Sequence, residues 1–350
     1  MFKVFDGHND VLLRLWEKPA HERVKRFIHG DNEGHLDLPR MKKAGFAGGF
    51  FAIFPPPEAS SANYSDPNPP DAPPLSRAAA LAATLGMADL LVKLAAESAG
   101  RLRLCRTVAE IRAAEADEAV AAIMHIEGLE AVGEDLDGLH LLHAAGLRSL
   151  GPVWSRSNVF GHGVPFRFPS SPDTGPGLTA AGKRLVAACN DLGILVDLSH
   201  LNEKGFWDVA ELSDAPLVAT HSNAHALCPS ARNLTDAQLK AISQSRGVVG
   251  LNYAVGFLRA DGGWGRDVSL DVLVAHAARM IEVAGENGVA LGSDFDGADI
   301  PDAIGDVLGL PRLIRAMEQA GFGAALIRKI THDNWLSVLE RTWKPEPLAS

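Results

Sequence analysis

The chain has 350 residues, is 47% hydrophobic and 22% charged, and carries a net charge of −10. That composition is ordinary for a globular protein, and the length suits one large α/β barrel or two average domains. The acidic balance, with no long Lys/Arg run to follow a phosphate backbone, argues against a nucleic-acid partner. Three cysteines, Cys105, Cys189 and Cys228, form no CxxC pair and give no disulfide framework, which points to a reducing, cytoplasmic setting. The opening MFKVFDGHND has the features of neither a signal nor a transit peptide. No apolar run is read as reaching the ~18–20 residues that span a bilayer, so no membrane partner is expected.

Lys3–Val11, KVFDGHNDV, reads as a short strand ending in a polar cluster. His8 and Asp10 lie two apart, so in extended chain they share one side. Residues 14–35 are polar and read as irregular, and LDLPRMKKAG reads as a short helix. Gly48–Phe54 is the second strand. Pro55–Pro74 has no periodicity and reads as a surface loop: a lid, an oligomer contact or a passive insertion. Leu75–Ala99 is Ala/Leu-rich at helical spacing. Ala119–Gly128 is the third strand, and it delivers Glu127. A carboxylate there is costly to bury unless paired or metal-bound. Leu136–Ala145 reads as a helix and Leu147–Trp154 as the fourth strand. A Gly/Pro/Ser-rich segment holding His162 follows, then an amphipathic helix, Thr179–Leu192, with Thr179 placed to cap it.

Residues 194–232 are the most informative. Two short apolar runs, ILVDLSH and PLVATHSN, read as buried strands that end in His200 and His221. A helix over 203–212 separates them. One histidine after a strand is more often a cap or a surface residue than a ligand. Two in consecutive β-α-β units shift the balance toward a shared metal at the carboxyl ends of the strands. Asn233 or Thr235 caps the next helix, Gly247–Tyr253 is the seventh strand, and Leu270–Glu286 is helical. Val289–Gly297 is the eighth strand, ending in Asp294 and Asp296, and Leu310–Arg341 reads as a two-helix C-terminal extension. Eight strands mostly separated by helices predict a single (β/α)8 TIM barrel over residues 1–350. A doubly wound sheet is the runner-up, weakened by the lack of GxGxxG or GxxxxGK[ST] after the first strand.

The strand ends then offer His8, Asp10, Glu127, His200, His221 and Asp294 on one face. Imidazole with carboxylate suits zinc and similar divalent ions, and the lack of a thiolate argues against a closed structural site. The arrangement suggests two metals, with His8 and Asp10 on one, His200 and His221 on the other, and Glu127 bridging. Such a pair, ~3.5–4 Å apart, shares a water and lowers its pKa. Asp294 would be the base that takes the water proton, its alternatives being a further ligand or a cap.

These residues resemble the renal (membrane) dipeptidases, zinc metallopeptidases of the amidohydrolase superfamily. The matching pieces are DGHND (Asp6–Asp10), IEG (Ile126–Gly128), VDLSH (Val196–His200), THSNAHALCPSARNLTD (Thr220–Asp236) and GSDFDG (Gly292–Gly297). They run in family order over about residues 4 to 300. The resemblance implies a binuclear zinc site with the ligands just given, Asp294 as acid/base, and Arg232 as the arginine that binds the substrate carboxylate. A guanidinium fork suits that planar group. Tyr253 falls where the family lines its substrate pocket, and a homodimer is the family-based expectation.

One position departs from the family. Better-known members carry a histidine at the end of the fourth strand, thought to meet the substrate carbonyl or oxyanion. Trp154 stands there in this chain, and an indole N–H donates one hydrogen bond but carries no charge. His162 is the candidate replacement. The expected function is a metal-dependent dipeptidase acting on small dipeptides with a free C-terminal carboxylate, L,D-dipeptides included, by attack of a metal-bridging hydroxide. The alternative is an N-acyl amino acid or lactam amidohydrolase on the same site. A non-catalytic peptide-binding barrel predicts missing ligands, and none is missing.

Overall fold

The computed structural model describes residues 2–57 and 72–344, so most of the Pro-rich segment at 55–74 lies outside the described residues. β1 (Val4–Asn9) is buried along its whole length, as parallel strands covered on both faces are. Three short helices follow: α1 (Val11–Trp16), α2 (Arg23–His29) and α3 (Leu38–Ala44). The first two occupy a stretch expected to be irregular. Each buries only two or three apolar side chains, Val11, Leu12 and Leu15 in α1 and Phe27 and Ile28 in α2, too few for periodicity to stand out. α3 starts on Asp37, whose carboxylate accepts from Arg40 N–H.

The chain continues through β2 (Phe46–Ile53), α4 (Arg77–Glu97), β3 (Leu102–Leu104), α5 (Val108–Ala116) and β4 (Val120–Glu127). Next come α6 (Leu139–Ala145), β5 (Leu147–Gly151), α7 (Ala180–Leu192), β6 (Leu195–Val196), α8 (Glu203–Leu212) and β7 (Val218–Ala219). α9 (Asp236–Gln244), β8 (Val248–Leu251), α10 (Leu270–Ala284) and β9 (Val289–Leu291) complete the strands. Thr179 caps α7 as expected, and Thr235, rather than Asn233, caps α9 in a reciprocal box with Gln238. The C-terminal part is three helices, not two: α11 (Leu310–Gln319), α12 (Ala324–Arg328) and α13 (Asn334–Thr342), the last two joined by a π-helical turn over Lys329–Asp333.

Eight parallel strands form a ring in the order β6-β5-β4-β2-β1-β9-β8-β7. The ring closes through a parallel bridge between Asp197 and Val218, where Leu198 N–H donates to Val218 O at 2.9 Å. This is the expected (β/α)8 barrel, and the ring strands are those read from the sequence. β3 is additional; it pairs with the start of β4 outside the ring and is three residues long, below what patterning resolves.

Inside the barrel, Phe5, Phe50, Leu195, Val218 and Val248 pack on Trp335 and Leu339 of α13. The Trp335 indole donates to Leu291 O at 2.9 Å, so α13 is fixed to β9 as well as packed. One layer of the barrel is pinched. A Cβ on Gly7, Gly250 or Gly292 would stand 2.3, 2.0 or 2.0 Å from the carbonyl oxygen of Thr220. Only glycine permits that approach. α4 is, by length and composition, apolar enough to cross a membrane, contrary to the expectation that no stretch is. It packs on α1, α2 and β2, while Leu81, Leu85 and Val92 stay exposed.

Candidate active site

The expected ligands converge at the carboxyl ends of the ring strands. His8 is the next-to-last residue of β1 and Glu127 closes β4, while His200 and His221 lie a few residues past the two-residue strands β6 and β7. Asp294 follows β9, where its backbone is left-handed at φ 59° and its N–H donates to His8 O at 3.0 Å. Aspartate tolerates that conformation better than most residues. All are buried.

The distances are short. His8 Nε2 lies 3.2 Å from Asp10 Oδ2 and 3.8 Å from Glu127 Oε2. Glu127 Oε1 lies 2.9 Å from His200 Nε2 and 3.3 Å from His221 Nε2. Among the described residues, three triads have ligand atoms mutually within 4.8 Å: His8, Glu127 and His221; His8, Asp10 and Asp294; and His8, His125 and Asp197. His8 thus stands at the centre of the constellation, a grouping that cuts across the expected pairing. Glu127 Oε1 and Asp10 Oδ1 are buried without a hydrogen-bond donor among the described residues. Carboxylate oxygens so placed are costly unless a cation neutralises them, so the donor set fits a divalent metal.

Burial governs the electrostatics. It pushes the Glu127 carboxyl well above its usual range and raises Asp294, with His8 and Arg232 opposing both. It holds His200 and His221 well below the usual imidazole range, the more so beside Arg232 and His8. At His8 burial is outweighed by the charges of Glu127 and Asp10, and the imidazole rises to about 10. Burial lowers the Arg232 guanidinium to about 10.

Part of this cluster borders a cavity of about 660 Å³. Asp10, Glu127, His200 and Asp294 form its polar floor, and Phe54, Trp154, Phe166, Phe257 and Trp264 form an aromatic wall. Trp154 belongs to it, as expected: its ring lies 5.8 Å from that of His200 and 5.5 Å from that of Phe166. Arg232 is not part of the lining. Its NH2 group reaches His200 Nε2 at 3.2 Å and His221 O at 2.8 Å, and NH1 donates to Ser222 Oγ at 2.7 Å.

Two expected site residues lie elsewhere. His162 is outside the lining, with Nδ1 3.1 Å from Gly177 O, because the loop after β5 turns it toward residues 175–179. It does not replace the missing histidine. Tyr253 is fully buried against Phe295, ring centroids 5.6 Å apart, and is core rather than pocket wall. Just past the end of β8, its side chain points into the core.

Several residues around the site carried no role in the sequence reading. Asn252 donates to Asp294 Oδ2 at 3.0 Å and orients it. Asp6 accepts from the Ser293 amide and hydroxyl, both at 2.7 Å, and fastens β1 to the chain after β9. Arg14 and His35 line the cavity, with Arg14 Nε 3.2 Å from Asp296 Oδ2. Asp6 and Asp197 lie inside motifs already noticed, DGHND and VDLSH, and buried aspartates in such company are the signal that could have found them.

The model of the membrane dipeptidase family, peptidase family M19, matches residues 1–346. The chain belongs to the membrane dipeptidase family. It is therefore a dipeptidase of the metallopeptidase class. Among solved structures it is similar to a metallopeptidase described as dipeptidase AC, at 57% identity and a TM-score of 0.93, covering 98% of this chain and 99% of that one. It is also similar to a Rhodobacter sphaeroides metallopeptidase liganded with a phosphinate mimic of L-Ala-D-Ala, at 56% identity and a TM-score of 0.94, covering 98% and 99%. A Klebsiella pneumoniae protein described by its place in the pqqA 5′ region is 52% identical over 257 residues, 73% of this chain and 94% of that protein.

Proposed function

We propose that this dipeptidase cleaves dipeptides with a free C-terminal carboxylate, L,D-dipeptides included, using two zinc ions held by His8, Asp10, Glu127, His200 and His221. One observation carries this: three imidazoles and three carboxylates meet at the carboxyl ends of the barrel strands, and His200, Asp10, Glu127 and Asp294 of that cluster open onto one cavity. The donor set, imidazole and carboxylate without thiolate, favours zinc over Mg2+ or Ca2+. Bound metal supplies an activated water and a Lewis acid for the scissile carbonyl.

The protein's own groups do the rest. Asp294, buried and held by Asn252, takes the proton of the attacking water and returns it to the leaving nitrogen. Arg232 receives the substrate carboxylate. It is a buried cation beside His200, and its Nε has no partner among the described residues. Arg14 also borders the cavity but spends its guanidinium on Asp296, Asp31 and Leu36 O. The aromatic wall excludes water and receives apolar substrate side chains. The mimic bound by the Rhodobacter sphaeroides relative is the support for including L,D-dipeptides. Three buried, unpaired cysteines are the support for a reducing, cytoplasmic setting.

Trp154 favours a second reading, hydrolysis of N-acyl amino acids or lactams, because the expected histidine donor is replaced by a flat apolar surface. A panel of L,L- and L,D-dipeptides, each with and without a C-terminal amide, tests the first reading on zinc-loaded protein. Cleavage lost on chelation and lost on amidation is expected. Failure on every dipeptide, with turnover of N-acyl amino acids, would transfer the proposal to the second.

A further inference from the structure

His200 and His221 each hold Nδ1 against a hydroxyl, Ser155 Oγ and Thr220 Oγ1, both at 2.8 Å. What stands behind the two hydroxyls differs. Ser155 Oγ has no further partner among the described residues, whereas Thr220 Oγ1 lies 2.6 Å from Asp197 Oδ2. Asp197 leaves the barrel at the residue after β6 and is buried. Its oxygens receive Ser199 N–H at 3.1 Å, Ser199 Oγ at 2.6 Å, Thr220 N–H at 2.8 Å and Thr220 Oγ1 at 2.6 Å. His125 Nε2 is 3.8 Å away, beyond hydrogen-bond reach, and its Nδ1 is engaged with Ser149 Oγ.

Three of these donors converge on Oδ1, and the Thr220 hydroxyl donates to Oδ2. With its proton spent there, that hydroxyl turns a lone pair toward His221. An acceptor at Nδ1 puts the imidazole proton on Nδ1 and the lone pair on Nε2. Nε2 is the atom that faces Glu127 Oε1 and His200 Nε2. Ser199 adds a second constraint, since its hydroxyl donates to Asp197 while accepting His221 N–H at 3.0 Å.

We propose that Asp197 and Thr220 are positioning residues, a carboxylate–hydroxyl relay that sets the metal-binding tautomer and ring orientation of His221. This rests on the reading above that His221 holds a metal ion. Carboxylates that support a ligand histidine directly change metal affinity when removed, and a hydroxyl interposed between them transmits the same preference.

The test is zinc release from the metal-loaded full chain to a chromogenic chelator. Thr220→Val keeps the side-chain shape and removes the hydroxyl; Thr220→Ser restores it. In Thr220→Val, and in Asp197→Asn, one class of zinc should dissociate about 10–100-fold more readily, while Thr220→Ser holds zinc like the wild type. A Thr220→Val protein that retains zinc like the wild type overturns the relay. Should that variant not fold, histidine 15N spectra of the zinc-loaded wild type decide: a slowly exchanging proton on His221 Nδ1 is expected, and a freely exchanging one overturns the relay. A wild type that binds no zinc sinks the metal reading itself, which keeps the two failures apart.

Discussion

The Nε2 atoms of His200 and His221 face each other at 3.1 Å, with Glu127 Oε1 2.9 and 3.3 Å from them. Two imidazoles held well below their usual pKa range by burial bring no positive charge to the carboxylate oxygen they flank. Such a cluster is stable when a cation sits among its lone pairs. Chelation is therefore expected to abolish activity and also lower the melting temperature, with both restored by zinc. At a free metal concentration 100-fold above its Kd the stabilisation is about 2.7 kcal/mol. An unchanged melting curve after verified metal removal would argue that the cluster holds itself together.

Asp294 is fixed by Asn252 and by its own N–H bond to His8 O. Replacing it with Asn keeps the shape and removes the proton acceptor. The expected loss is about 10²–10⁴-fold in kcat with little change in KM. Steady-state kinetics on one good dipeptide would show it. A loss confined to KM would move Asp294 from proton transfer to binding.

Arg232 and Arg14 compete for the role of carboxylate receptor. Arg232→Met is expected to cost roughly 10²-fold in kcat/KM, mostly in KM, and to erase the difference between a dipeptide and its amide. Arg14→Met should leave that difference intact, since its guanidinium already serves Asp296 and Asp31. The reverse pattern would exchange their roles.

At the opposite end of the barrel, His332 Nε2 lies 2.6 Å from Glu115 Oε1 and Nδ1 lies 2.8 Å from Asp333 Oδ1. Burial pulls the imidazole down, but the hydrogen bonds and charges of Glu115 and Asp333 outweigh it and the pKa is raised. Burial pushes the Glu115 carboxyl up, but His332 and Lys3 outweigh it and the pKa is lowered. A raised imidazole contributes fully below its ordinary value of 6.5, and the contribution fades as pH rises through the folded-state value. A lowered carboxyl contributes fully above its ordinary 4.5 and fades as pH falls through its folded-state value. The pair is strongest between those ordinary values. His332→Gln should cost roughly 1.5–3 kcal/mol at pH 6 and less at pH 9, read from urea unfolding, with kcat unchanged. An equal cost at both pH values would mean that packing, not charge, is at work.

The ring strands were legible because each is a short apolar run ending in polar residues, and a barrel strand is buried on both faces until it reaches the site. The metal-ligand candidates His8, Asp10, Glu127, His200 and His221, and the acid/base candidate Asp294, were legible for the same reason: they break an apolar pattern at one end. α1, α2 and β3 were not, because each buries too few side chains to set up a period. Tyr253 and His162 misled because sequence gives position along a strand or loop but not side-chain direction. Both sit near the right end of the barrel and point away from the cavity. Asn252, Thr220 and Asp197 act through other side chains, and such partnerships are visible only once distant strands are brought together.

Gly7, Gly250 and Gly292 all crowd the carbonyl of Thr220, one or two residues before His8, Asn252 and Asp294 and immediately below His221. The girth of the barrel below the site is thus set largely by main chain meeting main chain, with the Trp335 indole also pressed against Gly7. A methyl group at any of the three would pry strands apart at that girth and widen the mouth above it. The separation of the strand ends that carry His8, His221 and Asp294 is in this sense a property of the backbone, fixed below the level of the aromatic wall.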